Sequence, residues 1–354
     1  MTCLQPRNLT MMTDLYQLTM MYGYYRCGMD KNEAVFDLFF RQRDNSAYAI
    51  MAGTESVIDY INKLHFAPED IEYLRSLNLF DEGFLKILAD MRFTGEIYGM
   101  PEGTVVFPYE PLIRVKAPIM QAQLVETTLL NLVNHQTLIA TKAARVCLAA
   151  HGLPVAEFGL RRAQGAGGGM WASRAAVVGG CASTSNVLAG KTYGLPVSGT
   201  HAHSWVMSFP NELEAFRAYA REFPRNCVLL VDTYDVEQGI RNAITVGLEM
   251  RARGERLAGI RIDSGDLAWL AKMARRMLDE AGLDDCGIVL SNDLDEYTIQ
   301  SILDEGAPVS SWGVGTKLAC AFDQPTLGGV YKLSATRAPG RAEWVDRLKI
   351  SESA

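Results

Sequence analysis

Residue types able to grip phosphate, stack on a flat ring or attack a phosphoryl group gather at the ends of apolar runs in this sequence. Six such runs stop at polar residues: PVAEFGLRR, LPVSGTHAHS, VLLVDTYD, LAGIRIDSGD, GIVLSND and VSSWGVGTK. In RIDSGDL, 261–267, Asp263 stands at the run's tip, where hard carboxylate oxygens suit Mg²⁺ or sugar hydroxyls; Asp266 can as well cap the helix that follows. VDTYD and SNDLDE put Asp232, Asn292 and Asp293 at equivalent tips. In WGVGTKL, Gly313 and Gly315 let backbone amides approach a phosphate, with Thr316 and Lys317 beside them, although the spacing is not that of a Walker loop. Arg161 and Arg162 end the first run, and Lys142 and Arg145 lie on the helix before it, a set of cations suited to pyrophosphate.

GTHAHSW, 199–205, holds two of the chain's five histidines. In an extended segment His201 and His203 point the same way. A His-x-His metal site would need further histidines on later tips, and none follows residue 203. A nucleophilic or acid–base histidine fits better, a purely structural pair is the alternative, and the spacing alone does not choose between the two residues. The glycine cluster AQGAGGGM, 163–170, reads as a mobile lid or a flexible connection.

These tips need elements to position them. After Pro154 the apolar runs alternate with helical patterns at 235–252, 266–281 and 294–304, which predicts parallel strands joined by right-handed crossovers. About six or seven such units, with no dinucleotide glycine fingerprint after the first, favour an incomplete TIM-like α/β barrel over an open sheet. The predicted division is a smaller N-terminal α+β domain over 1–118, the barrel over 119–334 and a polar tail over 335–354. Within the first part the pattern predicts helices at 13–26, capped by Thr13, and at 54–64, 68–77 and 81–90, then short β runs over 96–115. A long helix over 121–150 joins the parts.

The chain has 354 residues, 48% of them hydrophobic, and a net charge of −7, which argues against disorder and against a nucleic-acid partner. Seven scattered cysteines without CxxC spacing read as reduced thiols. No leader pattern opens the sequence and no apolar run reaches the ~20 residues of a membrane span, so a cytoplasmic protein without membrane association is expected.

TDLYQLTM at 13–20, EFGLRRAQG at 157–165, TSNVLAG at 184–190, then GTHAHSW, IRIDSGDL and WGVGTKL, in this order, resemble the nicotinate phosphoribosyltransferases over about residues 8–334. The resemblance implies a type II phosphoribosyltransferase in NAD salvage. It would join nicotinate to 5-phosphoribosyl 1-pyrophosphate, giving nicotinate mononucleotide and pyrophosphate, coupled to ATP hydrolysis with Mg²⁺ present. By position, it makes His203 the histidine phosphorylated by ATP, and Tyr16 and Phe158 the aromatic sandwich around the pyridine ring. Tyr16 would come from a partner subunit, hence a homodimer with a shared active site. Thr200 and Arg261 would hold the nicotinate carboxylate or neighbouring ring atoms, and Thr316 the phosphate of the phosphoribosyl group. Asn186 replaces an Asp of amide-using relatives and so would spare a carboxylate from repulsion.

On physical grounds Asp232 and Asp263 would offset positive charge developing on the ribose, while Lys142, Arg145 and Arg161 would hold the leaving pyrophosphate. The metal ligands stay unassigned. The alternatives are a phosphoribosyltransferase of the same fold using nicotinamide or quinolinate, a barrel hydrolase with a metal on His201 and His203, and a shortened noncatalytic homologue. Members of the family continue beyond the segment YKLSATRAPGRAEWVDRLKIS, so the short C-terminus is expected to bear on the small domain and on oligomer contacts.

Overall fold

The computed structural model describes residues 8–42 and 47–350, so that Cys3 lies outside the described residues. In chain order the strands are β1 (Glu33–Phe40), β2 (Ala49–Ile50), β3 (Glu96–Gly99), β4 (Val105–Val106), β5 (Ile113–Pro118) and β6 (Val155–Glu157). They continue with β7 (Ser183–Thr184), β8 (Val228–Leu230), β9 (Gly259–Ile262), β10 (Gly287–Ser291), β11 (Ser311–Val314), β12 (Gly329–Arg337) and β13 (Val345–Asp346). Two compact units result: Met1–Thr141 with Gln324–Ala354, and Lys142–Asp323.

The first unit is built on an antiparallel sheet in the order β13-β12-β1-β5-β3. Ala34, Phe36, Leu38 and Phe40 bury the same face of β1, as period-2 side chains must. The Phe36 ring stacks on Tyr331 of β12 at 4.7 Å, and the Tyr331 hydroxyl donates to the Ala122 carbonyl at 2.8 Å.

This unit reaches further than the sequence division at 118 suggests, because the helical segment after β5 satisfies its backbone. The Thr128 hydroxyl donates to Met12 O at 2.7 Å, the Thr137 hydroxyl donates to Ala52 O at 3.0 Å, and Thr141 Oγ1 accepts from Ile50 N at 2.9 Å. That segment is two helices, Ile119–Leu124 and Glu126–Ala149, rather than one. Residues 329–337 likewise pair along β1, so the division at 334/335 falls inside a strand. Thr13 does not cap the first helix, Leu15–Arg26; Asp14 holds that position and the Thr13 hydroxyl donates to Leu124 O at 3.3 Å.

The second unit contains a parallel sheet in the order β7-β6-β11-β10-β9-β8. Helices Val236–Ala252, Leu267–Glu280 and Glu296–Asp304 fall where the sequence periodicity predicts them. Their buried positions, such as Ile240, Ala243, Val246 and Met250, recur at helical spacing. The glycine cluster is helical rather than an irregular connection: Gly165–Val178 is a helix, and Gly169 packs against Leu160, whose Cδ1 would lie 2.7 Å from a Cβ there. Beyond β7, Thr184 makes one parallel bridge to Val197, and no strand pairing joins β7 to β8 among the described residues.

Candidate active site

At the ends of β6, β9, β10 and β11 a cleft of about 100 Å³ opens. Phe158 and Arg161 reach it from the turn after β6, Arg261 and Asp263 from β9, Asn292 and Asp293 from β10, and Gly313, Gly315 and Thr316 from β11. Ser291 and Arg162 complete the lining.

Arg261 is the hub. Its Nε donates to Ser291 Oγ at 2.8 Å, one terminal nitrogen to Thr200 Oγ1 at 3.0 Å and the other to Asp263 Oδ1 at 2.8 Å. The guanidinium also lies 5.5 Å from the centre of the Phe158 ring. A guanidinium has five N–H donors, so two remain for a planar acceptor. A Cβ at residue 313 would sit 2.7 Å from the Phe158 ring, so the glycine makes room for the aromatic side chain.

The strand-tip acids divide into two classes. Asp235, Asp266 and Asp295 are helix N-caps, accepting from the backbone of Gln238, Trp269 and Thr298 at 2.8, 3.0 and 2.8 Å. Asp232 is different: its Oδ2 accepts from Asp263 N at 3.0 Å and from Ser264 Oγ at 2.7 Å, while its buried Oδ1 has no hydrogen-bond partner. Asn292 and Asp293 adopt φ of 93° and 34°, a left-handed turn that non-glycine residues rarely hold.

The two histidines part company because the extended segment ends at Ala202 and a short helix, His203–Met207, begins. His201, 7% exposed, turns inward and its Nε2 accepts from Leu230 N of β8 at 3.2 Å. Burial, offset in part by the Ala202 carbonyl and reinforced by the Arg261 charge, depresses its pKa to about 4. A lone pair committed to a backbone amide is not offered to a metal, so a His-x-His metal pair does not form here. His203 faces the other way, with Nδ1 3.2 Å from Thr233 Oγ1 and Nε2 3.9 Å from Asp263 Oδ2.

Four sequence candidates are held elsewhere. Lys142, 4% exposed, pairs with Glu296 at 2.7 Å and Asp323 at 2.6 Å; burial alone would lower its pKa, but the two carboxylates outweigh it and the net shift is upward. Arg145 lies 3.8 Å from Asp323 and, like Lys142, does not line the cleft. Asn186 is a buried N-cap: its Oδ1 accepts from Ala189 N at 3.1 Å and its Nδ2 donates to Ser173 Oγ at 3.1 Å. It therefore does not face a ligand in this cleft, and capping explains the residue without any substrate preference. Lys317 also turns away, to Asp295 at 2.6 Å; burial raises the Asp295 pKa, but the ammonium and the Thr298 amide hold it at about 2. Tyr16 belongs to the first unit, 47% exposed, with its hydroxyl donating to Glu126 at 3.3 Å.

Sequence reasoning missed Ser291, and it named Arg162 as a cation at the first tip without its partner. Ser291 ends an apolar strand whose polar end residue was the available signal. Arg162 donates to Thr316 Oγ1 at 2.9 Å, a contact across 154 positions that no local pattern displays.

Residues 11–134 match the family described as nicotinate phosphoribosyltransferase (NAPRTase) N-terminal domain, and residues 154–349 match the nicotinate phosphoribosyltransferase (NAPRTase) family. The nicotinate phosphoribosyltransferase of Bacillus subtilis is 48% identical over 350 residues, covering 98% of this chain and 70% of that protein. The Homo sapiens nicotinate phosphoribosyltransferase is 36% identical, covering 92% of this chain and 71% of its own length. The crystal structure of human nicotinic acid phosphoribosyltransferase superposes with a TM-score of 0.83 at 35% identity, over 94% of this chain and 76% of that one. Matched by both family descriptions and by relatives that align over nearly the whole of this chain, the chain belongs to the nicotinate phosphoribosyltransferase family.

Proposed function

We propose that this enzyme is a nicotinate phosphoribosyltransferase, transferring the phosphoribosyl group of 5-phosphoribosyl 1-pyrophosphate to the ring nitrogen of nicotinate in NAD biosynthesis. The single observation that carries the reading is one cleft uniting Phe158 and Arg261 with Asp263, Arg161 and Thr316. A flat ring stacks on Phe158 while its carboxylate takes the two remaining guanidinium donors of Arg261, oriented by Thr200 and Ser291. Arg161, Thr316 and the amides at Gly313 and Gly315 then face the phosphates. As the bond from the anomeric carbon to pyrophosphate breaks and the bond to the ring nitrogen forms, the Asp263 carboxylate lies where positive charge grows on the ribose. Asp232 fixes Asp263 through its backbone amide.

Three further elements of the reading rest on the resemblance and on this geometry together. Mg²⁺ would add charge neutralisation for the leaving pyrophosphate. Among the described residues no three His, Cys, Asp or Glu side chains form a protein-only cage. An ion held by one or two carboxylates and substrate oxygens would draw on Asp263 and Asp293, which line the cleft. His203 is proposed as the residue ATP phosphorylates: its ring is part-exposed and anchored at Nδ1, which leaves Nε2 to take the phosphoryl group. Tyr16, presented by a second copy in a homodimer, would supply the opposite face of the ring sandwich.

The strand order supports an incomplete barrel, because β8 to β11 and then β6 and β7 follow one another as chain order around a barrel requires, with the opening at residues 197–201. No helix among the described residues is long and apolar enough to cross a membrane.

The test is release of pyrophosphate with nicotinate and phosphoribosyl pyrophosphate, with and without ATP, for the wild type and His203→Ala. The wild type should turn over and be stimulated by ATP; the variant should keep slow ATP-independent turnover and lose the stimulation. Equal stimulation in both proteins would remove His203 from this role, and no pyrophosphate from the wild type would overturn the activity.

A further inference from the structure

We propose that Glu157 is a positioning residue that sets the Phe158 ring for the pyridine acid. The inference rests on the ring-binding role given to Phe158 above. Glu157 ends β6 and its side chain is wholly buried. Its Oε1 accepts from Gly159 N, and its Oε2 accepts from Thr184 Oγ1 at 2.6 Å and Ser173 Oγ at 3.0 Å. Asn186 extends the cluster, donating its backbone amide to Thr184 Oγ1 at 3.0 Å and its side-chain amide to Ser173 Oγ at 3.1 Å. One carboxylate thereby ties the turn after β6 to β7 and to the helix Gly165–Val178.

These donors are a backbone amide and two hydroxyls, all neutral. Holding a carboxylate out of water on neutral donors is a poor source of stability, since desolvation consumes most of what the hydrogen bonds return. What the arrangement does supply is geometry. Phe158 N donates to Val314 O at 2.8 Å on one side, while Glu157 grips the next amide on the other. The backbone of Phe158 is clamped at both flanks. Its ring is then confined by Gly313 and by the Arg261 guanidinium, the same guanidinium that has donors left for a carboxylate. The Glu157 carboxylate bonds to Gly159, Ser173 and Thr184 and to none of the residues on the phosphate side, so loss of its acceptor acts first on the 158–159 turn.

The test compares Glu157→Ala, Glu157→Gln, Thr184→Val and Phe158→Ala, each checked for folding by circular dichroism and thermal melting. The nicotinate KM, the phosphoribosyl pyrophosphate KM and kcat are then measured for each. Glu157→Ala should raise the nicotinate KM about tenfold, the equivalent of one lost hydrogen bond, and leave the other KM nearly unchanged. Glu157→Gln should restore most of it, because the amide oxygen still accepts from Gly159 N and the two hydroxyls can turn to accept from its NH₂. Should Glu157→Ala not fold, Thr184→Val keeps the volume and removes one bond, and should shift the nicotinate KM in the same direction by less. An unchanged nicotinate KM in the folded variants, both KM values rising together, or no rescue by Gln would overturn the proposal. Phe158→Ala separates the two readings: if it leaves the nicotinate KM unchanged, the ring site itself is wrong and this inference falls with it, whereas a raised KM there beside a normal one in Glu157→Ala defeats only the positioning role.

Discussion

At the scale of single residues the cleft depends on a planar, multiply bonded cation. Arg261 satisfies Ser291, Thr200 and Asp263 at once while lying against the Phe158 ring, a task for a rigid fork rather than a point charge. Lysine keeps the charge but has one nitrogen, which cannot bridge those oxygens and still face a carboxylate. Arg261→Lys should therefore lower kcat/KM for nicotinate on the order of 10²-fold, as expected for two charge-assisted hydrogen bonds, with little effect on the phosphoribosyl pyrophosphate KM. Steady-state kinetics with each substrate varied in turn decides it; a change confined to the phosphoribosyl donor would place Arg261 on the wrong substrate. Asp263 and Thr316 were readable beforehand because each follows an apolar run, and strand ends are where such a fold gathers its chemistry, whereas Phe158 and Arg261 entered through the family resemblance. Asn186 was misread for the opposite reason: a side chain that can face a ligand can equally cap a helix, and only the Ala189 N–H contact decides which.

Elements explain the two histidines. Thr184 bridges to Val197, and a few residues later His201 Nε2 accepts from Leu230 N, so a side chain takes the place of a strand partner beside β8. The neutral imidazole is needed for that bond. Its pKa of about 4 lies below the unfolded 6.5, so the unfolded chain takes up the proton first as pH falls. The stabilisation is complete above about pH 6.5 and is lost progressively toward pH 4, amounting to on the order of 3 kcal/mol. Gln at 201 can accept from Leu230 N through its carbonyl and does not titrate. Urea unfolding at pH 7, 6, 5 and 4 should show the wild type losing more stability than His201→Gln across that window. Parallel curves would mean that His201 is not the neutral acceptor. The alternation of helices and strands was legible, since periods of 3.6 and 2 are local properties. The fate of GTHAHSW was not, because the switch from extended chain to helix at His203 hides whether the two rings share a face. Nor was the helix at Gly165–Val178, because a run of glycines carries little helical preference of its own.

Over the whole molecule, the second unit is an insertion into the first, entered at Lys142 and left at Asp323. Polar composition made the last residues look like a tail, yet β12 runs antiparallel to β1 over its whole length, a pairing separated by about 300 positions that no local window can display. The entry and exit residues of the insertion are themselves an ion pair at 2.6 Å, with Glu296 on the other side of the ammonium at 2.7 Å. This contact closes a loop of the second unit at its own base, and it accounts for Lys142 without any phosphate. Lys142→Met keeps most of the volume and removes the charge, which leaves two carboxylates facing a buried methionine. The expected loss is about 3–5 kcal/mol of stability in urea unfolding, the usual effect of breaking a buried pair from one side. The phosphoribosyl pyrophosphate KM of the folded fraction should not move. The sequence-based placement of Lys142 on pyrophosphate predicts the reverse, a raised KM in a protein of normal stability, so one variant measured both ways separates a residue that ties the chain together from one that binds the leaving group.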